Sequence, residues 1–258
     1  MQEKTVEIRG QTLRALEAGD GPTVLYLHGF GGLAWSPLLE RLSARHRVLA
    51  PEHPGFGRGK VPDWMTSAGD LAYFYLDLLA ALDLEKVHLV GHAVGGWIAA
   101  ELAIRNTARL ASLALLAPAG IVVPGASIAD IFLTPADELV RRQVHDANDP
   151  ACAAWLTAQS AVEIDIVLQN RAALARIGWS PRLHDPQLPV WLHRIDVPTL
   201  VVWGEDDRLV PFACHRPYMD AIPGARLLAL KDTGHALMVE NAGRTAGQLQ
   251  ELFAGAAR

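Results

Sequence analysis

Residues 87–96 read Val-His-Leu-Val-Gly-His-Ala-Val-Gly-Gly, and this stretch decides the fold. Its first four residues form a short, mostly apolar run, as in a strand buried on both faces of a parallel sheet. Gly91 and Gly95 stand two residues before and two after Ala93, a spacing that lets a strand and the following helix approach closely. Such a turn strains its central residue and pushes that side chain out over the sheet. We therefore expect Ala93 at the carboxyl end of a buried strand.

Strands and helices alternate on both sides of this stretch. The alternation predicts an α/β fold with a mostly parallel, eight-stranded sheet flanked by helices. It breaks after Pro118, because residues 121–194 have helical patterns and no clear strand. We interpret 121–194 as an inserted helical cap, or lid, and residues 1–120 with 195–258 as the core. The predicted strands are 5–9, 12–15, 23–27, 47–50, 87–90, 110–116, 198–203 and 225–230, and the predicted core helices are 36–44, 70–82, 97–105 and 241–253.

Composition narrows the class of protein. Half of the 258 residues are hydrophobic and a fifth are charged, so a large buried core is expected. The formal net charge of −5 argues against nucleic-acid binding, which favours a basic face. The N-terminal residues carry charges where a signal peptide has an apolar run, and no stretch is long and uncharged enough to cross a bilayer. We expect a cytoplasmic protein with a small-molecule substrate and no membrane partner. The sequence does not decide whether the protein forms a homo-oligomer.

Neither a metal nor a cofactor is predicted. The ten histidines show no His-Glu-x-x-His motif or other paired-ligand spacing. Residues 91–96 lack the Gly-x-Gly-x-x-Gly spacing of dinucleotide-binding turns. Cys152 and Cys214 are predicted to be packing residues, since neither lies in a recognisable catalytic context.

Three further segments place polar residues directly after predicted strands. Residues 28–32 read His-Gly-Phe-Gly-Gly, residues 203–207 read Trp-Gly-Glu-Asp-Asp, and residues 232–236 read Asp-Thr-Gly-His-Ala. In an open parallel sheet, ligands bind at the carboxyl ends of the strands. We expect these three segments and the turn at Ala93 to surround one site.

In these four segments, taken in order, the chain resembles the α/β-hydrolase superfamily, and within it the small lid-bearing serine esterases and C–C hydrolases. The resemblance covers essentially the whole chain. Ala93 stands where the family has its nucleophilic Ser. The resemblance implies that Asp207 is the acid, with Asp206 as the competing candidate, and that His235 is the general base.

The resemblance also implies an oxyanion hole and a substrate pocket. The backbone N–H groups of Phe30 and Val94 would face the developing oxyanion, and the loss of a Ser side chain leaves both in place. Gly29, Trp35 and His92 are the candidate substrate-binding residues. Trp35 either lines an acyl pocket or packs beneath the cap, and His92 has either a pocket role or a structural one.

Other polar residues near these segments have structural explanations. We interpret His28 as support for a tight turn. The pair Glu52-His53 either supports the site from behind or, as we favour, belongs to the loop structure. Asn170 and Arg171, in the predicted cap, are expected to be exposed to solvent.

Ala93 determines which chemistry remains. Ala has neither a lone pair nor a proton to give, so it cannot form an acyl-enzyme. Loss of the nucleophile of such a triad costs about six orders of magnitude in turnover. The Ser was either replaced deliberately or lost naturally. Because acid, base, oxyanion loop and elbow glycines all remain, the sequence favours a deliberate Ser-to-Ala replacement and a catalytically dead or crippled form.

Several activities fit this set of residues. The favoured hypothesis is a parent serine hydrolase that cleaves a small ester, lactone, thioester or vinylogous diketone through a Ser-Asp-His triad. On the same scaffold, His235 could abstract a substrate proton directly, as in lyases, cofactor-free oxygenases or cyclases. A non-catalytic receptor for a small ligand and an acyltransferase also fit. The sequence does not identify the substrate, because one fold hosts many chemistries.

Overall fold

The computed structural model describes residues 1–256 and contains a single sheet of eight strands. The strands are β1 (Gln2–Ile8), β2 (Gln11–Ala18), β3 (Thr23–Leu27), β4 (Arg47–Pro51), β5 (Val87–His92), β6 (Leu110–Leu116), β7 (Thr199–Gly204) and β8 (Arg226–Leu230). Their order in the sheet is β1-β2-β4-β3-β5-β6-β7-β8. Only the β1–β2 and β2–β4 pairs are antiparallel. The predicted α/β fold with a mostly parallel, eight-stranded sheet is confirmed.

From β3 onward, each connection between successive strands contains at least one helix. Within residues 1–256 the helices are α1 (Pro37–Ser43), α2 (Ala68–Ala81), α3 (Val94–Arg105), α4 (Ala136–Arg142), α5 (Pro150–Ser160), α6 (Ile164–Gly178), α7 (Leu188–Trp191), α8 (His215–Ala221), α9 (Leu237–Glu240) and α10 (Ala242–Ala256). Two short 3₁₀ turns, Leu192–Arg194 and Phe212–Cys214, complete the set.

Capping side chains explain where several helices begin. The hydroxyl oxygens of Ser36 and Ser67 accept hydrogen bonds from backbone N–H groups in the first turns of α1 and α2. The carboxylate of Asp149 caps α5 in the same way. These caps satisfy N–H groups that have no partner inside the helix. Because Ser67 is the cap, α2 begins at Ala68, two residues before the predicted start.

The central strands are buried on both faces, as their apolar runs predict. Every residue of β5 and β7 is buried, and so is nearly all of β3, β4 and β6. Strand β5 runs two residues past its predicted end at Val90, because it keeps pairing with β6 as far as His92 and Leu116. The turn that follows therefore starts immediately at the carboxyl edge of the sheet.

The helical cap consists of α4, α5 and α6. The helical prediction for residues 121–194 is wrong over its first part, since residues 121–135 are irregular and the first helix begins at Ala136. Gly120 and Gly125 explain this, because both have positive φ, which ends regular structure. The predicted closing helix, 241–253, corresponds to α10 (Ala242–Ala256), and a separate short helix, α9 (Leu237–Glu240), precedes it.

Within the described residues, no single helix is long and apolar enough to cross a membrane, and α5 with α6 passes that test only as a pair bent by 89°.

Close packing at the turn after β5 gives a first prediction. A Cβ at Gly95 would collide with the main-chain carbonyl oxygens of Leu27 and His28. Gly95→Ala should therefore lower the free energy of unfolding by about 3 kcal/mol or more, because backbone cannot move aside as a side chain can. Urea-induced unfolding measures this. Gly247→Ala is the matched control, since an added Cβ at this exposed helical position meets nothing within 4 Å and should stabilise by up to about 1 kcal/mol. Equal effects of the two substitutions would contradict the prediction.

Candidate active site

The turn between β5 and α3 holds Ala93 in a strained conformation. Its φ is 51° and its ψ is −115°, values that a non-glycine residue adopts only when its surroundings enforce them. The Ala93 N–H donates to the Leu116 carbonyl at 2.9 Å. Close approach is possible because Gly91 and Gly95 lack side chains at the point where strand and helix meet. The sharp strand–turn–helix predicted from the sequence is therefore present, with residue 93 at its apex.

His235 and Asp207 form a buried hydrogen-bonded pair. Nδ1 of His235 lies 2.7 Å from Oδ2 of Asp207, and both side chains are fully buried. The other carboxylate oxygen of Asp207 accepts from the backbone N–H groups of Leu209 and Val210, at 2.8 and 2.9 Å. An acceptor-only carboxylate requires the proton on Nδ1 of His235. Nε2 of His235 then carries the lone pair, and it has no hydrogen-bond partner within the described residues.

Asp206, the competing candidate for the acid, turns away from His235. Its carboxylate lies 3.1 Å from Nδ1 of His145 and is 43% exposed. Ligand atoms of His145, Asp206 and Asp232 all lie within 4.8 Å of one another, so this group could hold a metal ion. The three residues are far apart in sequence, which is why no motif predicted them.

The glycine-rich segment after β3 forms a tight turn beside Ala93. The Gly32 N–H donates to the Gly29 carbonyl at 3.2 Å. A Cβ placed on Gly29 would lie 3.3 Å from the Ala93 Cβ, so this turn and the elbow are in direct contact. Among the described residues, neither the Phe30 nor the Val94 backbone N–H has a hydrogen-bond partner. Val94 is also the first residue of α3, and a helix N-terminus favours a negative charge.

A network of two histidines and a tyrosine supports this turn from behind. The His53 backbone N–H donates to Nε2 of His28 at 2.9 Å, so His28 carries its proton on Nδ1 and donates to the Gly29 carbonyl at 2.8 Å. Nε2 of His53 donates to the His28 carbonyl at 2.9 Å, which leaves Nδ1 of His53 to accept from the Tyr75 hydroxyl at 2.6 Å. Every polar atom of the two rings is thus satisfied in the neutral form.

Burial keeps these histidines uncharged. Burial lowers the pKa of His53 from 6.5 to about 4. Burial, together with the neighbouring His53, holds the pKa of His28 well below its usual value. The sequence favours loop structure at His53 over a supporting role, and the partners of His53 lie 22 and 25 residues away, so no local pattern identified them.

His92 contacts the main chain of His235. Its Nε2 lies 3.1 Å from the His235 carbonyl oxygen, and the two ring centroids are 4.7 Å apart. Burial, and next the facing His235, hold the pKa of His92 well below 6.5. His92 is therefore a neutral donor that fixes the segment carrying His235, and with Gly29 and Phe30 it also lines a small cavity of about 30 Å³.

Trp35 does not line any of the cavities described for residues 1–256, and its substrate-binding role stays a prediction. Its indole N–H donates to Glu40 at 2.7 Å, and the ring packs against the core. Asn170 and Arg171 differ from expectation. Asn170 is 4% exposed, and the half-buried Arg171 donates to the Thr134 carbonyl at 2.9 Å. The cap therefore directs both side chains inward.

A cavity of about 310 Å³ lies under the cap but does not reach the His235–Asp207 pair. Ala93 is 1% exposed and His235 is fully buried, and neither lines this cavity. The Phe30 ring stacks on the His235 ring with centroids 6.0 Å apart, and Phe30 also lines the cavity. A hydrolase site would have open space directly between Ala93, His235 and the cap, and this cavity does not extend into that position. Most of the remaining lining is apolar and includes Ile131, Leu139, Val140, Ile164, Val167 and Leu174.

A strained elbow, a buried His–Asp pair and two free main-chain amides are the features of the hydrolase class of α/β proteins. The sequence pattern of the "Alpha/beta hydrolase family" matches residues 24–248, and the chain belongs to this family.

Curated relatives with several activities are similar to the chain. RutD of Azorhizobium caulinodans, which is named as a carbamate hydrolase, is 31% identical over 84% of this chain and 86% of its own. The 2-hydroxy-6-oxo-6-phenylhexa-2,4-dienoate hydrolase of Comamonas testosteroni is 30% identical over 88% of this chain and 85% of its own. The dihydrolipoyllysine-residue acetyltransferase component of the acetoin cleaving system of Pseudomonas putida is 32% identical over 92% of this chain, which spans 65% of that longer protein.

Solved structures share the same fold. The 2-hydroxy-6-oxo-6-phenylhexa-2,4-dienoate hydrolase of Rhodococcus sp. strain RHA1 has a TM-score of 0.82 with 25% identity over 98% of both chains. A bacterial membrane phospholipase A has a TM-score of 0.84 with 24% identity over 100% of this chain and 87% of its own. The chain is thus close to C–C hydrolases and RutD within the family.

The neutral histidines predict a pH dependence of stability. The pKa of His53 is about 4 in the folded protein against 6.5 as a reference, so folding favours its neutral form. This contribution to stability is complete above about pH 6.5 and is lost as the pH falls towards about 4. Between about pH 7.5 and about pH 5, we expect His53 alone to cost about 2 kcal/mol.

Urea unfolding at the two pH values measures this loss. His53→Phe removes the titrating ring and should make the loss smaller by about that amount, whatever its effect on stability at neutral pH. An unchanged pH dependence in His53→Phe would show that His53 is not held neutral by the fold.

Proposed function

We propose that the chain is the Ala93 form of a serine hydrolase that cleaves a small ester, lactone, thioester or vinylogous diketone when residue 93 is Ser. The observation that carries this proposal is the buried His235, whose Nδ1 is bonded to Asp207 and whose Nε2 has no partner in the described part of the chain. An imidazole oriented in this way can act as a general base towards a proton donor placed beside its Nε2. A Ser at the apex of the adjacent elbow would supply that donor.

The backbone N–H groups that would bind the oxyanion are present whether residue 93 is Ala or Ser. With Ser in place, His235 would take the hydroxyl proton while the oxygen attacks the substrate carbonyl. The N–H groups of Phe30 and Val94 would stabilise the oxyanion. His235 would then return the proton to the leaving group, and water would release the acid by the same steps. Asp207 would hold the imidazole tautomer and stabilise its charged form.

The cap cavity and the relatives together support a small, partly apolar substrate. A volume of about 310 Å³ is at the lower end of ligand-sized pockets, and its lining is mainly apolar. Two relatives are named for carbamate and for C–C bond hydrolysis, which differ in the bond that is cleaved. Ester and C–C cleavage both begin with attack on a carbonyl, so the same residues serve either reaction.

The buried His235–Asp207 pair and the unpaired N–H groups of Phe30 and Val94 beside Ala93 support the replacement of Ser in a hydrolase. Ala93→Ser should raise kcat for short p-nitrophenyl esters by about 10⁵- to 10⁶-fold over the unaltered chain. Initial-rate assays at neutral pH measure the gain. The same substitution combined with His235→Ala is the control, and it should abolish the gain. No increase with Ala93→Ser, in a protein that remains folded, would refute the proposal.

The assignment of the acid can be tested with two adjacent aspartates. In the Ala93→Ser background, Asp207→Asn should lower kcat by about 10⁴-fold, because the imidazole would lose its fixed tautomer. Asp206→Asn is the matched control, since its carboxylate faces His145 rather than His235, and it should change kcat by less than about threefold. A larger loss from Asp206→Asn than from Asp207→Asn would reverse the assignment.

The intact acid–base pair in a chain without a nucleophile also supports a second candidate function. His235 could remove a proton directly from a bound substrate, with Phe30 and Val94 stabilising the resulting enolate. Turnover by the unaltered chain that His235→Ala abolishes would favour this chemistry over hydrolysis. Tight binding of a small ligand without conversion, even after Ala93→Ser, would identify a receptor instead.

A further inference from the structure

Asn170, on cap helix α6, joins the cap to two separate loops of the core. Its Oδ1 accepts from the Gly57 backbone N–H at 2.8 Å, and its Nδ2 donates to the Gly31 carbonyl at 3.2 Å. An N–H group requires the oxygen and a carbonyl requires the nitrogen, so these partners fix the orientation of the amide. The side chain is nine-tenths buried or more, at 4% exposure. Both ends of a buried carboxamide are thus committed to main-chain groups.

The loop that Asn170 reaches through Gly31 is the turn that carries the Phe30 N–H. Gly29, Gly31 and Gly32 make this turn flexible, because glycine has the largest backbone freedom to lose on folding. The hydrogen bond from Gly32 to Gly29 closes its base, and His28 holds the Gly29 carbonyl. In the described part of the chain, the Gly31 carbonyl has Asn170 as its hydrogen-bond partner and no other. The outer half of the turn is therefore fixed from the cap.

Contact between Asn170 and the turn is also steric. A Cβ on Gly32 would lie 2.8 Å from Nδ2 of Asn170, so the amide packs directly against the main chain of the turn. Movement of α6 away from the core would break this contact and the bond to Gly31 together.

We propose that Asn170 is a positioning residue. It couples the docking of cap helix α6 to the shape of the turn at residues 28–32, which carries the Phe30 N–H and is called the oxyanion turn below. When α6 is docked, Asn170 holds the Gly31 peptide, and the Phe30 N–H is set for anion binding. When α6 moves away, the turn loses its outer support. The catalytic part of this inference rests on the proposed hydrolase function, whereas the structural coupling does not.

Gln169 provides a matched control on the same helix. Its Nε2 donates to the Gly55 and Gly59 carbonyls at 2.8 and 2.9 Å. Gln169 therefore also makes two hydrogen bonds between cap and core, but neither goes to the oxyanion turn. Gln169→Ala and Asn170→Ala remove the same number of cap–core bonds and differ in whether Gly31 is released.

Amide hydrogen exchange tests the coupling in the unaltered Ala93 protein. Asn170→Ala should speed exchange of the Gly32 N–H by about five- to tenfold, the effect of losing one hydrogen bond of ordinary strength. Gln169→Ala should leave that amide within about twofold of the parent. Equal acceleration in both variants, or none in Asn170→Ala, would overturn the proposal.

Kinetics test the consequence for catalysis in the Ala93→Ser background. Asn170→Ala should lower kcat for p-nitrophenyl esters by about tenfold or more, with KM within about threefold, because a displaced oxyanion donor acts on the transition state. Gln169→Ala should change kcat by less than about threefold. Similar losses of kcat in the two variants would show a general effect of cap docking and would overturn the catalytic role.

Asn170→Asp keeps the test decisive if Asn170→Ala does not fold. The carboxylate can still accept from Gly57 but cannot donate to the Gly31 carbonyl, so exchange at Gly32 and kcat should change as in Asn170→Ala. Parent-like exchange and kcat in Asn170→Asp would overturn the proposal. If Ala93→Ser itself has no activity, the hydrolase proposal fails, and hydrogen exchange still decides the coupling.

Discussion

The close approach of β5 and α3 around Ala93 is the constraint on which the site depends. Glycines at positions 91 and 95 allow the helix to start within one residue of the strand. At position 95, the carbonyl oxygen of Leu27 occupies the space that a side chain would need. The Ala93 carbonyl accepts from both Trp97 and Ala119, which ties the strained residue to the helix and to the next strand's loop. Main-chain hydrogen bonds to the N–H and to the carbonyl of Ala93 therefore hold this residue in its strained conformation.

Uncharged polar groups hold the loops around this elbow. His28, His53 and His92 are buried in one small region, where three imidazolium ions would repel one another and lack water. Each neutral ring donates to a main-chain carbonyl: that of Gly29, of His28 or of His235. Histidine suits this role because its neutral form offers one donor and one acceptor at fixed directions. The glycine-rich turn at residues 28–32 and the segment carrying His235 are consequently fixed relative to the sheet.

The His235–Asp207 pair beneath the cap is closed off from solvent. Phe30 contributes its ring to the partition between the cap cavity and His235 and its N–H to the turn beside Ala93. Substrate can reach residue 93 only if this ring or the cap moves. Hydrogen bonds from α6 to both core loops oppose such movement and favour the closed arrangement. Exclusion of water strengthens electrostatic interactions inside the site.

The sequence alone determined the α/β class, the mostly parallel sheet and the elbow at Ala93, because hydrophobic period and glycine spacing are local properties of the chain. The resemblance to the α/β-hydrolase superfamily indicated Asp207, His235, Phe30 and Val94, and the segments that carry them follow predicted strands whose ends share one edge of the sheet. Local patterns failed over residues 121–135, where apolar residues pack without forming a helix.

Tertiary structure decided the contacts between distant segments. It turned Asp206 towards His145 and Asp207 towards His235, although the two residues are adjacent in sequence. It paired His53 with His28, 25 residues away, and buried Asn170 against Gly31, 139 residues away. These contacts depend on the strand order and on how the cap packs, and no periodic pattern in a single segment carries that information.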